Sequence, residues 1–129
     1  MAKEKAHLLI AIKPYGNEHW GFDDRLNEIL NLCMSASVEV AGITTQNQKT
    51  PQRTYLGSGK LVEAKNQISS DYSKIVVVDD EISPNQQRFL EDFFKIKVID
   101  RTTLILDIFA ARARTKEGRL QVGLAQAEY

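Results

Sequence analysis

Residues 75–94 read IVVVDDEISPNQQRFLEDFF, and their pattern indicates the class of fold most clearly. Its first four residues are apolar and β-branched, which predicts a strand buried on both faces of a sheet. The start of a helix is indicated by a capping-box pattern, with Ser83 as the N-cap, Pro84 at the first helical position and Gln86 at the third. The apolar positions of that helix are Phe89, Leu90, Phe93 and Phe94. A strand that leads through a short loop into a helix is the repeating unit of an α/β fold.

The same unit recurs on both sides of this stretch. Strands are predicted at Leu8–Ile12 and Val38–Thr45 before it, and at Lys97–Asp100 after it. Parallel neighbours need crossover connections, which place helices on the faces of the sheet. The two strands that are apolar throughout belong in the middle. We therefore predict an α/β fold with a four-stranded parallel sheet of order 2-1-3-4 and helices on both faces.

The other three helices are predicted from caps and apolar spacing. Asp23 or Asp24 is expected to cap the first, and Thr102 or Thr103 the last. The apolar stripes are Leu26, Ile29, Leu30, Cys33 and Met34 in the first helix, Leu61, Ala64 and Ile68 in the second, and Leu104, Ile105, Ile108 and Phe109 in the last.

Composition limits the possible functions. The chain has 129 residues, with 17 basic and 17 acidic side chains, so bulk attraction to nucleic acid is not expected. Any nucleic-acid binding must come from a local basic patch. A single cysteine favours a reducing cytoplasm, and two isolated histidines make a metal site unexpected. No apolar run is long enough to span a bilayer.

The stretch YLGSGK, residues 55–60, invites comparison with a phosphate-binding loop. That motif needs a glycine where Thr54 stands and a serine or threonine where Leu61 stands. We therefore expect no nucleotide-binding residues here, but a glycine turn that opens a helix. A backbone-amide anion site at the helix start is the remaining alternative.

Three acids, Asp79, Asp80 and Glu81, follow the central strand. Such a cluster could hold magnesium, as in phosphorylation-receiver domains, if the first strand also ended in an acid. The sequence there is KPYG, residues 13–16, which favours loop-forming acids ahead of the Ser83 cap.

Basic residues suggest two possible RNA contacts. The densest stretch is ARARTKEGR, residues 111–119, which is either a solvated helix end or a phosphate-contacting patch. The candidate RNA-binding residues are Arg112, Arg114, Lys116 and Arg119, supported by Lys49, Arg53 and Lys60, with Tyr55 as a stacking platform. The sequence contains no recognisable catalytic constellation.

Three stretches resemble the N-terminal domain of HflX-type GTPases. They are YLGSGK (55–60), VVDDEISPNQQRFLED (77–92) and VIDRTTLILDIFAARARTKEGRLQVGLAQAEY (98–129). The resemblance implies an α/β domain over residues 1–115 and the start of a helical hairpin over 116–129, followed in the family by a G domain. The stripe Leu120, Leu124 and Ala127 then ends without a cap, so we expect a fragment that lacks the G domain and is itself non-catalytic.

The resemblance also implies a function. HflX-type GTPases use GTP and Mg²⁺, bind rRNA of the large ribosomal subunit in the cytoplasm, and split stalled or idle ribosomes under stress. The present domain would then be the ribosome-binding part. The alternative is a regulatory domain that controls nucleotide binding and hydrolysis by its own G domain.

Overall fold

The computed structural model describes residues 4–13, 21–50 and 52–113. The hairpin start predicted for residues 116–129 lies outside these ranges. The described residues form β1 (Glu4–Ile12), α1 (Phe22–Ser35), β2 (Val38–Asn47), α2 (Ser58–Asp71), β3 (Ile75–Val78), α3 (Pro84–Phe94), β4 (Lys97–Asp100) and a helix, α4, over residues 101–113.

All strand pairs are parallel, and the sheet order is β2-β1-β3-β4. This confirms the predicted fold and order. Both central strands are apolar because helices cover both of their faces. β1 is longer than predicted, since it extends back to Glu4.

Two hydrophobic clusters sandwich the sheet. Leu9 and Ala11 of β1 face α2 and α3, whereas Leu8 and Ile10 face α1 and α4. The buried helix residues are Leu61, Ala64, Ile68, Leu90 and Phe94 on the first face, and Ile29, Cys33, Leu104 and Ile108 on the second.

The predicted stripes are wider than the buried faces. Met34, Phe89 and Phe109 were expected in the core, but they are 66%, 40% and 61% exposed. Each lies next to a buried residue of its helix and is therefore about 100° further around the axis. That rotation takes its side chain beyond the face of the helix that contacts the sheet.

The start of α3 is as predicted. Ser83 Oγ accepts a hydrogen bond from Gln86 N at 3.2 Å, and Gln86 Oε1 accepts one from Ser83 N at 2.9 Å. This reciprocal pair satisfies two amides at the helix start.

The predicted caps of α1 and α4 are wrong. α1 begins at Phe22 with Gly21 as its N-cap, and Asp24 accepts a hydrogen bond from Gly21 N at 3.4 Å. α4 begins directly after β4, so the cap falls on the last strand residue. Asp100 Oδ1 accepts from Thr103 N at 2.8 Å, which places both threonines inside the helix.

One polar side chain, His7, is fully buried in the sheet. Its Nε2 lies 2.6 Å from Thr44 Oγ1, and its Nδ1 lies 3.5 Å from Asp71 Oδ2. Burial lowers the pKa of His7, although the hydrogen bond to Asp71 opposes the shift. Gly42 makes room for the pair, because a Cβ there would lie 2.7 Å from Asp71 Oδ2. His7 is therefore a hydrogen-bonded core histidine.

Two neighbours on α3 test the boundary of the core. Leu90→Ala should lower the free energy of unfolding by about 2–5 kcal/mol, because it leaves a cavity at a fully buried site. Phe89→Ala should cost no more than about 1.5 kcal/mol, since Phe89 is partly exposed and mainly stacks on Phe93. Urea unfolding measures both, and equal losses would contradict this packing.

Candidate functional site at the carboxyl edge of the sheet

The carboxyl ends of the strands gather several charged residues at one edge of the sheet. Lys13 follows β1, Asp79 and Asp80 follow β3, and Arg101 follows β4. The first turns of α1 add Arg25, because that helix starts at the same edge. Open α/β sheets bind their ligands at this edge, so it is the first place to look for a site.

Asp80 is held by two cations and a hydroxyl. Its carboxylate forms an ion pair with Lys13 and lies 3.5 Å from Arg25 Nη2. The hydroxyl of Tyr55 donates a hydrogen bond to Asp80 Oδ2 at 2.6 Å. One carboxylate thus connects the end of β1, the start of α1 and the loop before α2.

Asp79 is fully buried between two arginines. Its Oδ2 accepts a hydrogen bond from Arg25 Nη2 at 3.1 Å. Its Oδ1 lies 3.6 Å from Arg101 Nη1 and has no hydrogen-bond partner among the described residues. Arg101 is also paired with Glu28 of α1.

Burial raises the pKa of Asp79 to about 6. The positive charge of Arg25 opposes this shift, the negative charge of Asp80 adds to it, and Arg101 opposes it again. Desolvation prevails because the ionised carboxylate loses more hydration free energy on burial than its contacts with the two guanidinium groups restore.

These contacts disfavour the magnesium interpretation of the acidic cluster. Arg25, Lys13 and Arg101 lie where a metal ion would have to approach Asp79 and Asp80. Within residues 4–13, 21–50 and 52–113, no group of three or more His, Cys, Asp or Glu side chains could hold a metal ion. The acids form a structural ion-pair network instead.

The cationic partners of these acids could not be predicted from the sequence. Arg25 is 54 residues from Asp79, and Lys13 is 67 residues from Asp80. Neither cation lies in a recognisable motif, so only the folded sheet reveals the pairing. Arg101 does lie in the IDRT stretch that contributes to the family resemblance.

Tyr55 does not fit the stacking role predicted for it. It is 6% exposed, and its ring belongs to the hydrophobic cluster under α2. Its hydroxyl accepts a hydrogen bond from Ala11 N at 3.0 Å as well as donating to Asp80. Burial, and then the charge of Asp80, raise the pKa of this phenol, which therefore stays a donor. A base could not stack on this ring without opening the core.

The glycines after Tyr55 form the expected helix-opening turn. Gly57 is the N-cap of α2, and its N–H donates to Gln46 Oε1 at 2.7 Å. A Cβ on Gly57 would lie 2.9 Å from Gln46 Nε2, so a larger residue there would displace the Gln46 side chain that accepts this hydrogen bond. Gln48 Nε2 also donates to the carbonyl oxygen of Tyr55 at 2.5 Å. Two glutamines at the end of β2 thus fix the turn.

The structure separates the predicted RNA-binding residues. Lys49 and Arg53 are exposed in the loop after β2, and Lys60, in the first turn of α2, lies 3.3 Å from Glu63 Oε2. These three are at the carboxyl edge. Arg112 is exposed on α4, roughly 17 Å along the helix axis from Arg101, toward the opposite edge. The remaining candidates, Arg114, Lys116 and Arg119, lie outside the described residues.

Comparisons with known proteins place the chain in a family. The sequence profile described as "GTP-binding GTPase N-terminal" matches residues 23–110, more than half of the chain. The chain belongs to this family. The predicted resemblance to the N-terminal domain of HflX-type GTPases is therefore confirmed.

Two relatives show how the domain relates to longer proteins. A protein named GTPase HflX from Caldanaerobacter subterraneus subsp. tengcongensis is 44% identical over 128 residues, which cover 98% of this chain and 29% of that protein. GTPase HflX of Escherichia coli strain K12 is 46% identical over 105 residues, covering 81% of this chain and 25% of that protein. The chain spans less than a third of either relative.

Solved structures share the fold. A mutation variant of SsGBP has a TM-score of 0.67 at 23% identity and covers 98% of this chain and 39% of that one. A GTP-binding protein from Sulfolobus solfataricus in complex with GDP has a TM-score of 0.61 at 21% identity, covering 83% of this chain and 30% of that one. At this identity the likeness concerns the fold alone. Among the described helices, none has the length and apolar character to cross a membrane.

The raised pKa of Asp79 predicts a specific dependence of stability on pH. The folded state favours the protonated acid, so this contribution is fully present below the ordinary pKa of 3.8 and is lost as pH rises through about 6. The difference between these two pKa values corresponds to about 3 kcal/mol of unfolding free energy. In urea unfolding, the wild-type stability minus that of Asp79→Asn should fall by most of this amount, about 2 kcal/mol, between about pH 4 and about pH 7. A difference that stays constant over this range would contradict the burial argument.

Proposed function

We propose that this domain docks an HflX-type GTPase on RNA of the large ribosomal subunit through the carboxyl edge of its sheet. Residues 1–115 form the docking domain, and residues 116–129 begin the helical hairpin that leads to the G domain. In the intact cytoplasmic protein, the G domain uses GTP and Mg²⁺, and binding splits stalled or idle ribosomes under stress. The domain itself performs no catalysis.

The observation that carries this proposal is the charge distribution at the carboxyl edge. The buried carboxylate of Asp79 and the partly buried one of Asp80 are neutralised by Arg25, Lys13 and Arg101. Lys49 and Arg53 remain exposed on the loop above them. A neutral protein can contact RNA phosphates through such a local group of cations.

The start of α2 supports the same surface. Lys60 is 39% exposed, and the first amides of a helix favour a nearby phosphate. Its pairing with Glu63 is between exposed groups and therefore weak, so a phosphate can compete for the ammonium group. Tyr55 contributes by holding the turn, not by stacking.

Charge reversal at this edge tests the proposal in the intact GTPase. Lys49→Glu with Arg53→Glu should weaken binding to purified large subunits at least tenfold. The matched control is Lys74→Glu with Lys97→Glu, an equal charge change at exposed positions on the opposite edge. Sedimentation binding measures both, and equal weakening by the two pairs would rule out the carboxyl edge.

Salt dependence gives a second readout of the same surface. Three phosphate contacts predict a log–log slope of about −2 with the single-strand coefficient, and the edge variant should lose most of that slope. Binding that does not change with salt would contradict an RNA contact.

A regulatory domain acting on its own G domain is the second candidate, and the outer face of α4 favours it. Leu106 and Phe109 are each 61% exposed, although both are large and apolar. α4 also leads into the segment that joins this domain to the rest of an HflX-type protein. A neighbouring part of the intact protein would bury this face.

The two functions separate when ribosomes are left out. If the outer face of α4 restrains the G domain, Leu106→Gln with Phe109→Gln should change basal GTP hydrolysis, whereas the Lys49 and Arg53 reversals should not. Arg112→Glu, on the same helix, tests whether charge contributes. Unchanged basal hydrolysis in all three would count against a regulatory role.

A further inference from the structure

Asp80 joins two parts of the domain that do not touch each other in the contacts described above. Its side chain accepts the hydrogen bond from Tyr55 at 2.6 Å. Its carbonyl oxygen accepts one from the N–H of Arg101, the first residue of α4, at 3.4 Å. The neighbouring Asp79 contacts the Arg101 side chain at 3.6 Å.

The Tyr55 end of this connection is tightly held. Tyr55 has φ 69°, a left-handed conformation that is unusual for a residue with a side chain. Two hydrogen bonds to its hydroxyl and one to its carbonyl oxygen keep it there. The turn that precedes α2 is therefore positioned by the phenol.

The α4 end is held more loosely. The contacts of Arg101 with Asp79 and Asp80 are both long, and Asp79 Oδ1 has no hydrogen-bond donor within the described part of the chain. The firmer contacts at the start of α4 are the Asp100 cap and the ion pair between Arg101 and Glu28. A small displacement of Asp79 and Asp80 would thus alter the start of α4 before it disturbed the Tyr55 turn.

We propose that Tyr55, Asp80, Asp79 and Arg101 form a positioning relay that couples the turn before α2 to the start of α4. Tyr55 and Arg101 act through the two acids and touch no substrate. The coupling itself does not depend on RNA. On the proposed function, the relay would carry contact at Lys49 and Arg53 to α4, and hence toward the rest of the GTPase.

Other charges face the same acids and limit what the relay can transmit. Lys13 and Arg25 also hold Asp80, and Arg25 holds Asp79. Glu28 holds Arg101 from α1. Loss of Tyr55 alone should therefore loosen α4 without detaching it.

Hydrogen exchange tests the relay in the 129-residue chain without any ligand. Tyr55→Phe should speed exchange of the amides of residues 104–108 about fivefold, the effect of one lost hydrogen bond. Tyr72→Phe is the matched control, because Tyr72 shares the left-handed conformation but is 74% exposed. The amides of α3 report any global loss of stability.

The outcomes decide the matter. Faster exchange in α4 but not in α3 supports the relay. The relay is refuted if exchange in α4 is no faster in Tyr55→Phe than in the Tyr72→Phe control. It is also refuted if exchange speeds up equally in α3 and α4. Because ribosomes are absent, neither result bears on the proposed docking function.

A reciprocal variant covers the case in which Tyr55→Phe folds poorly. Arg101→Gln should speed exchange at the amides of Leu56 and Gly57, since coupling between two sites acts in both directions. Where Tyr55→Phe does fold, a double-mutant cycle by urea unfolding should find Tyr55→Phe and Arg101→Gln non-additive. Additive effects, with exchange changes confined to each variant's own surroundings, would overturn the relay.

Discussion

Two adjacent carboxylates at the end of β3 organise the domain. Asp79 is fully buried and Asp80 is partly buried, and like charges this close to the core are unfavourable unless cations reach them. Lys13, Arg25 and Arg101 come from three different elements to do this. The end of β1, the start of α1 and the start of α4 are thereby fixed around one point. Tyr55 connects the turn before α2 to the same carboxylates through its hydrogen bond to Asp80.

This arrangement explains why a turn that looks like a phosphate loop serves instead to connect β2, α2 and the acids after β3. The acids that might have held a metal are paired with arginine and lysine, and Gly57 leaves room for the Gln46 side chain of β2 at the start of α2. What remains outward is a small group of cations on the loop and the first turn of α2. In the proposed function, these cations would meet phosphates on a large partner.

The sequence predicted what depends on local pattern. The sheet order and the start of α3 follow from apolar runs and from Ser83, Pro84 and Gln86, all of which act within a few residues. The caps of α1 and α4 were missed because a glycine and a strand-ending aspartate did the work expected of nearby Asp and Thr. Tyr55 was misjudged because its ring is buried among residues distant in the sequence, such as Leu9 and Val78, and its hydroxyl bonds to an acid 25 residues away. The site could not be predicted in full, since its ion pairs join residues that only the sheet brings together.

Membership in the GTP-binding GTPase N-terminal family places the domain in longer proteins, of which it matches less than a third. A cryo-EM map of the intact protein on the large ribosomal subunit would show directly whether the carboxyl edge docks on RNA. We expect Lys49, Arg53 and Lys60 to lie against rRNA phosphates while the end of α4 faces the rest of the GTPase. A map with the carboxyl edge in solvent, and rRNA against another face of the sheet, would contradict it.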